Sequence, residues 1–250
     1  MRGRSNKGES VRSILISGAS QGLGAALASA FARRGDRVFS GVAMPREGMP
    51  GDVELNVRSP ESVSKAVDQI ARAAGGVDIV INSAAMHLHG PLATLEQDAF
   101  KETLDVNLLG AWRLSKAALP HLRPGDTIAM ISSLSALVGL PDEGAYAASK
   151  FALEGMSQSL AAEVASLGLR VLVFAPGRVD REFPGASGGE APETVAEEIA
   201  ALIDRRDTPF RNPIGLMARE IIGALGVDDG TRAAMVAQGV ARRGTVGHQA

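Results

Sequence analysis

Tyr146 and Lys150 stand four residues apart in a stretch with helical periodicity, so their side chains leave one face of a helix one turn apart. A phenol and an ammonium so placed can carry out proton transfer. A free phenol ionises near pH ~10, and an acid–base catalyst working near neutrality needs that value about three pH units lower, a differential of about 4 kcal/mol. An ammonium at ~5 Å in a medium of effective dielectric ~20 supplies about 3 kcal/mol of it by Coulomb's law. Taken alone the pair is weak, because Tyr-x-x-x-Lys occurs on many helix surfaces. Two facts strengthen it. Tyr146 is the only tyrosine in the chain, and Ser133 lies upstream at the end of an apolar run, 127–131, that reads as a buried strand.

A second site of chemistry lies near the start. Ser17-Gly18-Ala19-Ser20-Gln21-Gly22-Leu23-Gly24 follows the apolar run Ile14-Leu15-Ile16 and opens a helical pattern. Its glycines fall where a backbone must turn sharply and let a phosphate approach a helix N-terminus. A tight strand-to-helix turn with no ligand would need the same residues, but the strand before and the helix after favour the phosphate reading. The spacing Gly-x-x-x-Gly-x-Gly differs from the common dinucleotide fingerprint. It resembles the turn of the short-chain dehydrogenase/reductase family, with Ser17 where that family usually opens on Thr. Ser132-Ser133 and Tyr146-Ala147-Ala148-Ser149-Lys150 resemble that family's catalytic Ser, Tyr and Lys in order and spacing.

The resemblance implies a doubly wound α/β fold and hydride transfer between a nicotinamide cofactor and a carbonyl or secondary alcohol. On that basis Tyr146 is the acid–base, Lys150 lowers the ionisation of the phenol and contacts the ribose, and Ser133 holds the substrate oxygen. An arginine could not replace Lys150 there, because a planar fork does not meet the ribose hydroxyls as a compact ammonium does. Asn107, a poor helix former in the middle of a helical stretch, resembles the Asn that opens the family's helix and holds a water linked to the Lys. Cofactor contacts are implied for Gly18, Ser20, Gln21, Gly22, Leu23 and Gly24 in the turn, and for Asn82, Ser83 and Ala84 after the fourth strand, which resemble the family's Asn-Asn-Ala-Gly. Pro176, Gly177 and Val179 after the sixth strand are implied beside the nicotinamide, together with Tyr146 and Lys150.

The likeness spans residues 13–179 and has departures. Val42 and Ala43 occupy the place of the family's ribose discriminator, an Asp for NAD or an Arg for NADP. With no carboxylate to repel a 2′-phosphate and Arg46 close by in sequence, NADP is expected over NAD, although Gln21 in place of a basic residue weighs the other way. Asn56, next to Val57, replaces the usual Asp of the adenine pocket and keeps a hydrogen-bonding side chain. Arg181 stands where a Thr is usual after Pro-Gly. The family's final strand is expected to be missing, and residues 208–215 resemble the tail of the hydroxysteroid-dehydrogenase-like branch. Ser133, Leu134, Ser135, Leu140, Tyr146 and Phe183 are the substrate-contact candidates, with Leu137 and Val138 beside them, so a partly apolar small-molecule substrate is expected. His87 and His89 are expected to be solvated loop side chains. A substrate-mouth role is the next reading, and a metal pair the least favoured, for want of Asp, Glu or Cys nearby.

The elements that must position these residues alternate short apolar runs with longer helical patterns, the rhythm of a parallel sheet covered on both faces. Strands are expected at 14–16, 37–42, 53–57, 77–81, 127–131 and 169–174, with no helix between the second and third. Helices are expected at 22–34, 59–74, 97–118, 145–167, 193–204, 217–225 and 230–242. Residues 1–12 are expected to be a disordered tail without signal-peptide character, and residues 13–250 a single Rossmann-like domain with a Gly- and Pro-rich lid at about 177–192. Small-residue helices 97–118, carrying Trp112, and 145–167 would serve as packing or subunit contacts, giving a homodimer or homotetramer.

Composition removes several classes. With 250 residues, 45% apolar and 22% charged, the chain can bury a large core and is not a disordered polymer. Lys+Arg 26 against Asp+Glu 28 leaves net charge -2, without the basic surplus that nucleic acid demands. The longest uncharged stretch, 13–32, carries four Ser and three Gly, so no membrane span is expected. Cys 0 removes disulfides, thiolate metal sites and cysteine nucleophiles, and a cytoplasmic address is expected. A different-class alternative is a cofactor-sensing regulatory protein on the same fold. A dehydratase or epimerase using the same Tyr–Lys pair would need more C-terminal chain.

Overall fold

The computed structural model describes residues 11–180 and 188–224. Seven strands form one sheet in which every neighbouring pair is parallel: β1 (Ser13–Ser17), β2 (Arg37–Val42), β3 (Asp52–Glu54), β4 (Ile79–Asn82), β5 (Thr127–Ile131), β6 (Arg170–Pro176) and β7 (Arg211–Ile214). The order is β3-β2-β1-β4-β5-β6-β7. Direction of winding reverses between β1 and β4, so the carboxyl ends of those two strands open the crevice in which such sheets take ligands.

Alternation along the strands decides the two faces. Ile14, Ile16, Ile81, Ile131 and Phe174 point to one side, beneath Leu23, Leu27 and Phe31 of α1 (Gly22–Arg33) and Val195, Ile199 and Ile203 of α6 (Pro192–Asp204). Leu15 and Val80 point to the other, against Val63, Val67 and Ile70 of α2 (Pro60–Ala74) and Leu114 of α4 (Gly110–Ala118). Further along that face Ile128, Met130 and Val173 meet Leu153 and Val164 of α5 (Gly144–Val164). Because both faces are covered, β1 and β5 are buried at every position.

Local signals place the ends of α2. Ser59 accepts from the Ser62 N–H at 3.1 Å, Pro60 opens the first turn, and Gly75 ends the helix at φ 74. No helix lies between β2 and β3; residues 43–51 make the connection with turns. Of residues 1–12, only Val11 and Arg12 are described. Arg12 is held: its guanidinium grips Asp36 at 2.8 and 2.7 Å and Asp204 at 2.6 Å, tying the start of β1 to the turn before β2 and to the end of α6.

Three expectations change. A final strand is present: β7 lies parallel to β6 with Pro213 paired to Ala175, and Gly215 follows at φ 83. It is an edge strand, where a proline's missing N–H breaks no ladder. The helical stretch 97–118 is two helices, α3 (Gln97–Leu104) and α4, separated by a π-type turn over Asp105–Leu109. The third and fourth strands run over Asp52–Glu54 and Ile79–Asn82 rather than 53–57 and 77–81. Residues 230–242 lie outside the described residues, and α7 (Leu216–Ala224) is the last element seen.

One hydroxyl locks the crevice. Ser17, buried at the end of β1, accepts from the backbone N–H groups of Ser83 and Ala84, each at 3.1 Å, just beyond β4. Replacing it by alanine leaves two donors unpaired. Ser17→Ala is expected to lower unfolding free energy by about 1–3 kcal/mol, read as a reduced urea midpoint at unchanged slope. An unchanged midpoint would show that the two strand ends hold without it.

Candidate active site

The turn after β1 is built for close approach. Gly18 has φ 69, and a Cβ there would lie 2.7 Å from the Ala84 Cα; a Cβ on Gly24 would collide with the Gly18 carbonyl. Gly22 has φ 56, and the Gln21 side chain makes no capping bond to the N-terminus of α1. No acidic residue occupies the first turn of α1. The first N–H groups of the helix, at Gly22, Leu23 and Gly24, therefore end in a positive dipole without a side-chain cap, bordered by exposed Ser20 and Gln21. Beside it, the buried Asn82 Nδ2 donates to Ser115 Oγ at 3.1 Å while its Oδ1 has no hydrogen-bond partner among the described residues. Tight glycines, an uncapped helix start and a spare buried acceptor fit a dinucleotide at this place.

The side expected to face an adenine is thin. Val42 is buried, but Ala43 and the residues after it are exposed. Asn56 spends its Oδ1 on the Arg58 N–H at 3.0 Å, a local turn that presents its amide outward, while Val57 beneath it is buried. Arg46, in the connection after β2, has its side chain 41% exposed and fixed on Asp52 at 2.7 Å through both Nε and Nη2. These hydrogen bonds hold the Asp52 carboxyl below its ordinary range, against the opposing effect of its burial.

The residues expected to transfer the proton lie where β5 meets α5. Tyr146 and Lys150 are both buried on the first turns of α5, with the Lys150 Nζ 5.5 Å from the centre of the Tyr146 ring. Lys150 donates to the Ile131 carbonyl at 2.8 Å, which fixes the helix over the end of β5, two residues before Ser133. Ser133 caps the short 3-10 turn Leu134–Ala136 by accepting from the Ser135 N–H at 3.1 Å, and it stays half-buried. Leu134 is buried, and Leu137, Val138 and Leu140 are half-buried.

Asn107 sits in the π-type turn, closed by the Gly110 N–H bonding back to the Asp105 carbonyl. Its Oδ1 accepts from the Met86 N–H at 2.7 Å, and its Nδ2 donates to the Met86 carbonyl at 2.9 Å and to Ser149 Oγ at 2.9 Å. Ser149 in turn donates to the Tyr146 carbonyl at 2.6 Å. The π-type turn thus clamps the segment after β4 to the first turns of α5. Arg113 braces it from behind, bonding Asp105 at 2.7 Å and the Val57 carbonyl at 3.2 Å.

Pro176 and Gly177 leave the end of β6, with the Gly177 N–H on the Ile214 carbonyl at 3.2 Å. Val179 is buried and bridges to Glu190, so both ends of the 177–192 connection are pinned together. Arg181 and Phe183 lie outside the described residues.

His87 corrects an expectation. His89 is exposed, but His87 is packed: its ring stands edge-on to Tyr146 at 4.5 Å between centres, and its Nε2 lies 3.4 Å from Oε1 of Glu143. Glu143 was not singled out from the sequence. It is buried at the N-terminus of α5 and takes the Ser135 hydroxyl at 3.0 Å. A signal existed, because an acid stands just before the helix, three residues from Tyr146. Among the described residues no group of three or more potential metal ligands occurs, and no helix is long and apolar enough to cross a membrane.

The sequence profile of the short chain dehydrogenase family matches residues 12–187. The chain belongs to that family. As one of the short-chain dehydrogenases/reductases it is an oxidoreductase, and its relatives cover most of its length. An uncharacterized oxidoreductase of Escherichia coli K12, YbbO, is 32% identical over 237 residues, 91% of this chain and 82% of its own. A 3-ketodihydrosphingosine reductase of Bacteroides thetaiotaomicron is 30% identical over 81% of this chain and 87% of its own length. Human retinol dehydrogenase 8 is 37% identical over 75% and 67% respectively. Among solved structures, a short-chain dehydrogenase of Streptomyces avermitilis matches with a TM-score of 0.80 at 26% identity, covering 95% of this chain and 99% of its own. A Burkholderia cenocepacia short chain dehydrogenase in complex with NADP matches with a TM-score of 0.82 at 26% identity, covering 90% and 97%.

Two outcomes follow from the geometry of this short-chain dehydrogenase. Asn107→Ala removes both partners of the Met86 backbone and is expected to cost about 2–3 kcal/mol, measured by urea unfolding; a cost near zero would show that the clamp carries no stability. The Arg46–Asp52 pair has a pH signature. A depressed carboxylate contributes fully above its unfolded value of about 4 and loses that contribution as pH falls through the lower folded value. The gap in urea midpoint between wild type and Asp52→Asn should therefore hold at neutral pH and shrink below about pH 4. A gap that persists in acid would exclude the ion pair as its source.

Proposed function

We propose that the protein interconverts a carbonyl group and an alcohol on a partly apolar small molecule, with NADP(H) as its redox partner. The observation that carries this is the pairing of two buried groups one helical turn apart, the Tyr146 phenol and the Lys150 ammonium 5.5 Å from its ring, at the carboxyl end of the sheet. The nicotinamide supplies or accepts the hydride. Tyr146 gives the proton to the substrate oxygen on reduction and takes it on oxidation, and Lys150 favours the ionised phenol by its charge. Ser133 holds the same oxygen by hydrogen bond, and Asn107 fixes the segments on which Tyr146 and its surroundings ride.

Apolar substrate character is supported by Leu134, Leu137, Val138 and Leu140 after Ser133. Two relatives are named for 3-ketodihydrosphingosine and for retinol, a ketone and an alcohol with large apolar parts. Preference for NADP is supported by the absence of a carboxylate at Val42 and Ala43 and by Arg46 close by in sequence, whose guanidinium would exchange Asp52 for the 2′-phosphate. The NADP complex of the Burkholderia cenocepacia relative agrees with it.

The decisive experiment follows NADPH oxidation with 3-ketodihydrosphingosine, retinal and a set of apolar ketones, for wild type and Tyr146→Phe. Loss of the phenol is expected to lower turnover about a hundred- to ten-thousand-fold, with NADPH affinity by nicotinamide fluorescence nearly unchanged. Undiminished turnover would overturn the assignment. In the same titrations NADPH should bind about tenfold more tightly than NADH, and Arg46→Ala should abolish that difference. Equal binding of the two by wild type would refute the NADP preference.

A further inference from the structure

The guanidinium expected to meet a 2′-phosphate already has an anion on it. Arg46 donates to the Asp52 carboxylate three times, from its backbone N–H at 2.9 Å, from Nε at 2.7 Å and from Nη2 at 2.7 Å. Backbone bonds close the same turn: the Met49 N–H meets the Arg46 carbonyl at 3.3 Å, and the Asp52 N–H meets the Met49 carbonyl at 2.9 Å. Asp52 opens β3 beside Ser40 of β2, two residues before Val42 ends that strand. Three residues of chain span at most about 11 Å, so Arg46 stays close to Ala43 whatever path the connection takes. The Asp52 side chain is only 2% exposed. Glu47 and Glu54, the other carboxylates of the connection and of β3, are exposed, so water and salt screen them, and Asp52 is the acid that acts on Arg46 at short range.

We propose that Asp52 is a specificity-determining residue that competes with the cofactor's 2′-phosphate for Arg46 and so narrows the preference for NADPH over NADH. This rests on the reading of Arg46 as the group that meets that phosphate. A guanidinium takes a carboxylate or a phosphate on the same planar fork, and its Nε–Nη2 edge cannot serve both at once. NADH leaves the Arg46–Asp52 pair as it stands. NADPH has to exchange two charge-assisted hydrogen bonds for two others, and gains only the difference. Water reaches the released carboxylate and offsets part of its loss, so the competition is worth a modest factor in affinity. An asparagine at this place keeps an oxygen for the Arg46 backbone N–H but lacks the charge that holds the guanidinium, and the whole contact becomes available to the phosphate.

Binding alone reads this out, without turnover. Dissociation constants are measured for NADPH and NADH by nicotinamide fluorescence, and for adenosine 2′,5′-bisphosphate and adenosine 5′-monophosphate by calorimetry, on wild type and Asp52→Asn. The substitution is expected to tighten NADPH and the bisphosphate about three- to tenfold and to leave NADH and the monophosphate where they are. Unmoved binding of the two 2′-phosphorylated ligands overturns the proposal, and so does a change shared by all four, which is what a general loosening of the turn would give. Weaker binding of NADPH overturns it as well, because it would mean that Asp52 orients Arg46 for the phosphate instead of competing with it. Where Asp52→Asn does not fold, Asp52→Ser applies the same criterion. Arg46→Ala tests the underlying reading separately: no effect on NADPH there counts against the 2′-phosphate contact itself, whereas an effective Arg46→Ala beside a silent Asp52→Asn removes the competition alone.

Discussion

The Lys150 ammonium is almost wholly removed from solvent and donates a hydrogen bond to the Ile131 carbonyl at the end of β5. A buried charge without partners would cost several kcal/mol, so α5 has to dock with its first turns over that strand end for the charge to be tolerated. Everything else in the site is arranged by this contact. It sets Tyr146 one turn earlier on the same helix, places Ser133 two residues beyond the carbonyl, and brings Glu143 to the turn that follows β5.

A second set of contacts makes that docking specific. Asn107 grips the backbone of Met86 from both sides and reaches Ser149 on α5, so the segment after β4 and the helix bearing Tyr146 move as one. The amide can do this only because the helix opens into a π-type turn, which is braced by Arg113 and needs Gly110 to press against Val57, where a Cβ would come within 2.8 Å of Cγ2. Val57 adjoins Asn56 at the adenine edge. One continuous chain of contacts thus links Val57 to the helix that bears Tyr146 and Lys150.

Charge is distributed unevenly along the crevice. At the turn after β1, the helix N-terminus and the glycines offer backbone donors with no competing acid in the first turn of α1. In the connection between β2 and β3, Arg46 is already committed to Asp52, so its guanidinium is held in one direction and partly neutralised. Around Tyr146, Lys150 and Glu143 lie four residues after it and three before it, and the Ser135 hydroxyl and the His87 ring lie against the acid.

The sequence by itself determined the parallel sheet, the glycine turn, the capped α2 and the face shared by Tyr146 and Lys150. Each of these depends on residues within one or two turns of one another: an apolar run, Ser59 before Pro60, Gly18 before Gly24. Only the tertiary structure decided the rest. β7 is four residues long and carries a proline, and it becomes a strand because β6 lies beside it. The π-type turn at Asn107 is stabilised by Met86 and Arg113, neither of which a helical periodicity can announce. His87 leaves solvent because Glu143 and Tyr146, distant in sequence, form its pocket, and Arg46 faces Asp52 because a strand end brings the carboxylate there. Local propensity is written into adjacent residues, whereas these contacts exist only after the chain has folded back on itself.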